Sequence, residues 1–519
     1  MQIKNSAPVA CRLARALTMV MLGFTAVIAG VWSHFKLFSQ DVMYEFQTDS
    51  VDSLRQLVHV QRTSPISLDP LLYHALSHAS MQVFGATAFA QRLPSLLGFL
   101  LMQVCLFFLV RRLQGERAAA VAATFPALSA TLYYAVEGRP YGLLLGFCAL
   151  AMLCWVRAAS DSQQSRTLPL VGLAFALAAM LNTHYFAVLL LIPFAAAELW
   201  RTISRRRLDI PMLTALVAGV AGIVFTRPFM KAAGAFRTHY YNQGSVGLRD
   251  ITRAYRSLIV DYTTMPIALQ RISAAVLVVL ALALIAACWR QWQRRDSRLD
   301  PAVWVLLVTL AGLPFAGYLL ARFVTHSIEV RYVLGALIAI SALLAISLAR
   351  RLESDRVFSA VMIVMGIALL ASGAVRIRSQ KRDSEARLAS LVLPEAALRF
   401  LLQHPDRRFY IQDMGAFEED RYYIPDPGLK ERIALMYSSD EELRWNQHDT
   451  MALTAMHLQQ FTTLPVEAYE QARARDGEQL FLLRHTGWDW TDQALAADHA
   501  EVQVIGHAFD GDLALVRFH

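Results

Sequence analysis

Asp41 stands a few residues beyond the first long apolar run, in the string Ser39-Gln40-Asp41-Val42-Met43-Tyr44-Glu45. A carboxylate just outside a bilayer can serve as a general base toward a hydroxyl, although position alone favours the plainer role of an interfacial acid that ends a helix. Asp69 precedes Pro70-Leu71-Leu72-Tyr73-His74, where the proline fixes a turn and the acid could cap the helix that follows or belong to a site. Glu137-Gly138-Arg139-Pro140-Tyr141 is a very short turn between two apolar runs. Its opposite charges could simply pair and reach outward, yet its shortness holds both near the segment that carries Asp41. Asn182-Thr183-His184-Tyr185 forms a matching turn; a lone histidine there is more often a hydrogen-bonded interfacial residue than a catalyst. A basic stretch follows, with Arg227, Lys231, Arg237, His239, Arg249, Arg253 and Arg256 interleaved with Tyr240, Tyr241 and Tyr255. Arg322, His326, Glu329, Arg331 and Tyr332 repeat the theme. Guanidinium and ammonium groups at a lipid surface bind phosphate well, either as anionic headgroups in general or as one lipid phosphate held where two basic loops meet.

The elements that must position these residues are apolar helices. Of 519 residues, 56% are hydrophobic and 17% charged, against about a quarter charged in soluble domains. Long stretches carry no charge, as expected of a chain solvated by lipid, where a mid-bilayer charge costs about 2.5–3.5 kcal/mol. A crossing needs about 20 apolar residues. Candidate spans are 16–33, 89–110, 118–136, 140–157, 168–183, 184–200, 211–229, 270–289, 302–321, 332–349 and 357–375, about eleven in all. A cleaved signal peptide is the alternative for the first, but the run is long for one. Every even-numbered span is followed by arginines: Arg111 and Arg112, Arg157 and Arg166, Arg201 with Arg205 to Arg207, Arg290 with Arg294 and Arg295, and Arg350 and Arg351. The positive-inside rule then makes those loops and the N-terminus cytoplasmic. The first outer loop (34–88), a second (228–269) and everything after 376 lie on the far side. In the first outer loop, 53–60 and 71–84 have the spacing of amphipathic helices. The tail, 377–519, has strand-like runs at 408–413, 479–485, 501–506 and 513–518, with helical patterns at 394–404 and 439–447, which expects a soluble α/β domain. The net charge of +8 does not mark a nucleic-acid partner, because most arginines fall at span ends. The five cysteines end at Cys288 and form neither a disulfide framework nor a metal-ligand spacing.

Taken together, the motifs resemble those of the GT-C superfamily, specifically bacterial relatives of protein O-mannosyltransferases and of the lipid A aminoarabinose transferase. The resemblance lies in Asp41-Val42-Met43-Tyr44, Asp69-Pro70-Leu71-Leu72-Tyr73-His74, Arg92-Leu93-Pro94-Ser95, Glu137-Gly138-Arg139-Pro140-Tyr141 and Thr183-His184-Tyr185-Phe186, in order across about 40–200, with Arg331-Tyr332 later. Two positions depart from the family pattern: Val42 replaces the second acid of an Asp-Glu pair, and Asp69 stands where a histidine is usual. The resemblance implies a polytopic, α-helical GT-C-like membrane domain over 1–376 and a periplasmic α/β domain over 377–519 of an inner-membrane glycosyltransferase. Such an enzyme would move a hexosyl or pentosyl group, with inversion, from a polyprenyl-phosphate donor to a lipid, glycan or protein acceptor. Asp41 would be the catalytic base. Tyr44, Asp69, Tyr73, Glu137, Arg139, Tyr141, His184 and Tyr185 would line the substrate cavity. Arg227, Lys231, Arg237, His239, Tyr240, Arg331 and Tyr332 would hold the lipid phosphate. No metal ligand is assigned, and a divalent cation is the only candidate cofactor. A transporter or flippase-like protein is the rival from another class; it expects mid-membrane charges and internal repeats, and the charges here sit at the rims. A scaffold is the third reading, and it gives the Asp41 cluster no task.

Overall fold

The computed structural model describes residues 6–519 apart from 38–39, 161–164, 235–245, most of 261–298, 327, 391–394, 485–488 and 509–510. It starts with a long apolar helix, α1 (Ser6–Phe35), followed by three helices of the first outer loop: α2 (Gln40–Asp49), α3 (Leu54–Thr63) and α4 (Leu71–Phe84). The bundle continues with α5 (Ala88–Gln114), α6 (Glu116–Leu128), α7 (Tyr141–Ala159), α8 (Thr167–Leu181), α9 (Leu191–Arg205) and α10 (Ile210–Ala221). Two surface helices follow, α11 (Arg227–Ala233) and α12 (Arg249–Ile259), then α13 (Pro301–Ala311), α14 (Leu313–Leu320), α15 (Ala336–Leu348) and α16 (Asp355–Ser390).

Six helices among the described residues are long and apolar enough to cross a membrane. The pair α13 and α14, bent by 49°, makes a further passage if counted as one span, and α8 and α15 are shorter apolar helices. The expected span at 270–289 lies largely outside the described residues. Where 118–136 reads as one span, α6 stops at Leu128 and Ala130–Ala135 tightens into a 3-10 turn. Pro126 inside α6 and Ser129, whose hydroxyl accepts from the Thr131 amide, account for the break. The boundary expected at 376 falls inside α16, which runs on to Ser390.

α5 and α7 pack backbone to backbone. A Cβ on Gly142 would lie 2.1 Å from the Ser95 carbonyl oxygen, and one on Gly98 would lie 2.3 Å from Leu143 Cα. Glycine at these two positions lets the helices approach as small residues do at membrane helix contacts.

The tail is an α/β domain. Its sheet has the order β3-β2-β1-β4-β6-β5, from β1 (Phe409–Ile411), β2 (Ile433–Tyr437), β3 (Val466–Ala468), β4 (Gln479–Leu483), β5 (Glu501–Ala508) and β6 (Gly511–Arg517). β3, β2, β1 and β4 run parallel, whereas β6 pairs antiparallel with both β4 and β5. The helices α17 (Glu395–Gln403), α18 (Met414–Tyr423) and α19 (Thr450–Phe461) cover it with shorter ones between. The domain grips the first outer loop. Ile66 is buried in its core beside Phe400, Phe409 and Leu458, and His457 Nδ1 lies 2.8 Å from the Pro65 carbonyl. Tyr422 of α18 meets Phe46 of α2 edge to face, with ring centroids 6.0 Å apart.

Candidate active site

The site is assembled at the bundle end beneath α2 and α4. Arg92, near the start of α5, is 1% exposed. Its guanidinium donates to the carbonyls of Ser33 (2.8 Å), Lys36 (2.8 Å) and Leu37 (2.9 Å). These are the orphan acceptors at the end of α1, so Arg92 fixes where the chain leaves the bundle to begin α2. Ser95, one turn on, donates its hydroxyl to the Arg139 carbonyl. The Arg92-Leu93-Pro94-Ser95 motif thus ties together two outer turns.

α2 and α4 face each other through pairs spaced i,i+4, Glu45 with Asp49 and His74 with His78. His74 is fully buried, with Nδ1 2.6 Å from Asp49 Oδ1 and Nε2 3.2 Å from Glu45 Oε2. His78 Nδ1 lies 2.9 Å from the Asp49 carbonyl, and Ser67 donates to Glu45 Oε1 at 2.8 Å. Burial works against the charge of His74, but Asp49 and Glu45 outweigh it and push the imidazole up to about 9. Burial pushes Glu45 up to about 8, with Asp69 adding to the rise and His74 opposing it. The ring is therefore an imidazolium clamped between two acids. Donor atoms of Glu45, Asp49 and His74 lie within 4.8 Å of one another, as a cation site would need. However, Asp49 engages Nδ1 and Glu45 engages Nε2, on diverging sides of the ring. As the side chains stand, the ring itself fills the gap between the two acids.

Beside this clamp lies a second, more open group. Asp69 is approached by Arg139 Nη2 at 3.7 Å and His184 Nε2 at 3.6 Å, and Arg139 Nε lies 4.0 Å from Glu45 Oε1. The His184 Nδ1 accepts the Phe186 amide at 3.1 Å, which leaves Nε2 to carry the hydrogen toward Asp69. Burial pulls this imidazole down to about 4 despite Asp69, so His184 is a neutral donor. Tyr141 packs 5.4 Å from the His184 ring and 5.6 Å from the Arg139 guanidinium. Phe186 stacks on Tyr332 at 3.6 Å, and Arg331 lies over the Tyr332 ring at 5.6 Å. The wall is aromatic, and cationic groups stand above it.

The structure thus brings together Asp69, Arg139, Tyr141, His184, Arg331 and Tyr332 as a group. Tyr73 is buried against α5 and donates to the Gln91 carbonyl at 2.8 Å, a packing role rather than one facing the cleft. Glu137 is buried at the turn beside Arg139, and Tyr185 is partly buried next to His184. Asp41 and Tyr44 lie in the first turn or so of α2, but their side chains lie outside the described residues. Arg237, His239 and Tyr240 also lie outside them. Arg227 and Lys231 are exposed on α11, which packs on α3 through Phe229 under Arg62. The 3-10 turn Gly222–Thr226 leads into α11. The Glu45–His74–Asp49 clamp escaped the sequence reading. Its residues stand i,i+4 in the sequence, Glu45 with Asp49 and His74 with His78, but nothing in the sequence says that the two segments meet.

Residues 69–230 match the family model described as dolichyl-phosphate-mannose-protein mannosyltransferase. The chain is similar to the crystal structure of ArnT from Cupriavidus metallidurans in the apo state, with TM-score 0.62 and 13% identity over 96% of this chain and 98% of that one. It is similar to the same protein bound to undecaprenyl phosphate, with TM-score 0.60 and 13% identity over 96% and 97%. No curated protein matches the sequence. At such identity the likeness establishes architecture, a multi-pass membrane bundle with a small sheet domain after it.

Proposed function

We propose that this chain, whose fold is that of the GT-C membrane glycosyltransferases, transfers a sugar from a polyprenyl-phosphate donor to an acceptor hydroxyl or amine at the bundle end beneath α2. The observation that carries the reading is the meeting there of Asp69, Arg139, His184 and Arg331 at the foot of the helix that bears Asp41. The solved relative bound to undecaprenyl phosphate supports a polyprenyl phosphate as the donor class.

In this reaction the acceptor oxygen or nitrogen attacks the anomeric carbon and its proton passes to Asp41. The bond from that carbon to the phosphate oxygen breaks, and its electron pair leaves on the polyprenyl phosphate. Attack from the side opposite the leaving group inverts the centre. Arg139 and Arg331 offset the charge gathering on the departing phosphate, where fixed donors contribute most. The donor hydrogen of neutral His184 and the carboxylate of Asp69 suit sugar hydroxyls, and the rings of Tyr141 and Tyr332 suit the apolar face of a pyranose. The outer face would be periplasmic in an inner membrane, with the N-terminus in the cytoplasm. The histidine clamp fixes α2, the helix that carries Asp41, against α4.

The test is to incubate the full chain in nanodiscs with a panel of polyprenyl-phosphate sugars and solubilised envelope material. The expected result is release of free polyprenyl phosphate together with a glycosylated product of inverted anomeric configuration. Consumption of none of the donors, or retention of configuration, contradicts the proposal.

A further inference from the structure

The two helices that deliver His184 carry a second polar cleft at their other ends. Arg166 precedes α8 and Arg205 ends α9. α8 has 15 residues, so at 1.5 Å per residue the cleft lies roughly 22 Å from the Asp69–His184 group. Its volume is about 260 Å³, and its charged lining is Arg166, Glu198, Arg201, Arg205, Arg207 and Asp209.

The cleft is built around buried charge. Asp209 Oδ2 accepts from Arg166 Nη2 at 2.6 Å and from Arg201 Nη2 at 2.9 Å. Glu198 takes Arg201 Nη1 with both oxygens, at 2.9 and 2.7 Å. Arg201 is 3% exposed and its guanidinium lies 5.9 Å from the Trp155 ring centroid. The Nε atoms of Arg201 and Arg166 are buried without a hydrogen-bond partner. Four guanidiniums face two carboxylates, which leaves the lining two positive charges in excess. The inner partners balance, Arg166 and Arg201 against Glu198 and Asp209, so the excess sits at the rim on the half-buried Arg205 and the exposed Arg207, where an anion can reach it. The flanks, Leu199, Trp200, Ile203, Leu208 and Ile210, are exposed and apolar, the surroundings of a group that meets lipid.

We propose that this cleft binds a phosphoryl anion at the end of the bundle opposite the active site, supplied either by an anionic lipid headgroup or by soluble phosphate. Arg201 and Arg166 form the floor, held in place by Asp209 and Glu198. Arg205 and Arg207 form the rim. Arginine suits this task because its planar fork presents paired donors to phosphate oxygens. The proposal stands apart from the transfer reaction and survives its failure.

The experiment is native mass spectrometry on the delipidated full chain in detergent, titrated with phosphatidylglycerol, phosphatidylcholine or inorganic phosphate. The variants are Arg205→Gln/Arg207→Gln and Arg201→Gln, with Arg331→Gln as the control for the other end. The expected result is one phosphatidylglycerol per chain, bound at least tenfold more tightly than phosphatidylcholine. The rim double variant weakens it about tenfold, and Arg331→Gln leaves it unchanged. The rim variant leaves the buried pairs intact, so it remains informative if Arg201→Gln fails to fold. Saturable inorganic phosphate binding with the same dependence on Arg205 and Arg207, without lipid preference, assigns the site to the soluble anion. Equal retention of both lipids with no phosphate binding, or binding unmoved by the rim variant, overturns the proposal.

Discussion

At the scale of single residues, the site contrasts two histidines in one protein end. His74 is held charged by the acids on either side, while His184 is held neutral by burial. The charged one carries a pH signature. Its folded value of about 9 lies above the ordinary 6.5, so its stabilising contribution is complete below about pH 6.5 and is lost as pH rises through 9. Glu45, raised from 4.5 to about 8 by burial, adds loss of the same sign as pH rises through 8. The melting temperature in detergent should therefore fall between pH 7 and 9, and His74→Gln should flatten that slope. The same substitution takes the charged partner from buried Asp49, a loss of about 3–5 kcal/mol by analogy with broken buried pairs. At Arg331 the expected effect is on the donor: a charge-assisted hydrogen bond is worth about 1.5–3 kcal/mol, so Arg331→Gln should raise the donor KM by at least about tenfold. Steady-state kinetics on the donor checks this.

At the scale of elements, the α5–α7 contact positions Ser95 and the Arg139 turn. A methyl at Gly142 meets the Ser95 carbonyl at 2.1 Å, so Gly142→Ala must push the helices apart. The cost expected of overpacking is about 1–3 kcal/mol, read as a lowered melting temperature together with weakened donor binding, because Arg139 moves with the turn. Much at this scale was legible. α4 spans the residues expected of it, 71–84, and α3, capped by Ser53, runs Leu54–Thr63 against an expected 53–60. β1, β4, β5 and β6 fall on the strand-like runs. α2 was not legible, since Gln40–Asp49 has too few apolar residues to show a stripe and gains its stability from partners distant in sequence. β2 and β3 were missed for a related reason: Ile433–Tyr437 is a short run buried almost throughout, without alternation, and Val466–Ala468 is three residues long. In the site, Asp69, Arg139, Tyr141, His184, Arg331 and Tyr332 could be named from turns and motifs. The histidine clamp depends on two helices meeting face to face, which periodicity in either helix does not reveal.

At the scale of the whole molecule, the tail domain sits on the first outer loop through α18. Glu418 is buried at that junction beside Gln47, and burial holds its carboxyl well above the ordinary 4.5 although Gln47 and Arg421 oppose the rise. Its contribution is present below that value and is lost as pH rises above it, so it weakens docking at neutral pH. Glu418→Gln keeps the shape and removes the titration, and should raise the melting temperature at pH 7 while leaving it nearly unchanged at pH 4. Docking of the domain on α2 also bears on catalysis, because it holds the helix that carries Asp41. The most direct test of the account compares wild type with Asp41→Asn in nanodiscs, measuring donor binding and turnover separately with the polyprenyl-phosphate sugar that wild type consumes. The account expects binding within a few-fold of wild type and turnover lower by about 10²–10⁴, the range of general-base catalysis. Turnover by Asp41→Asn at the wild-type rate would contradict it.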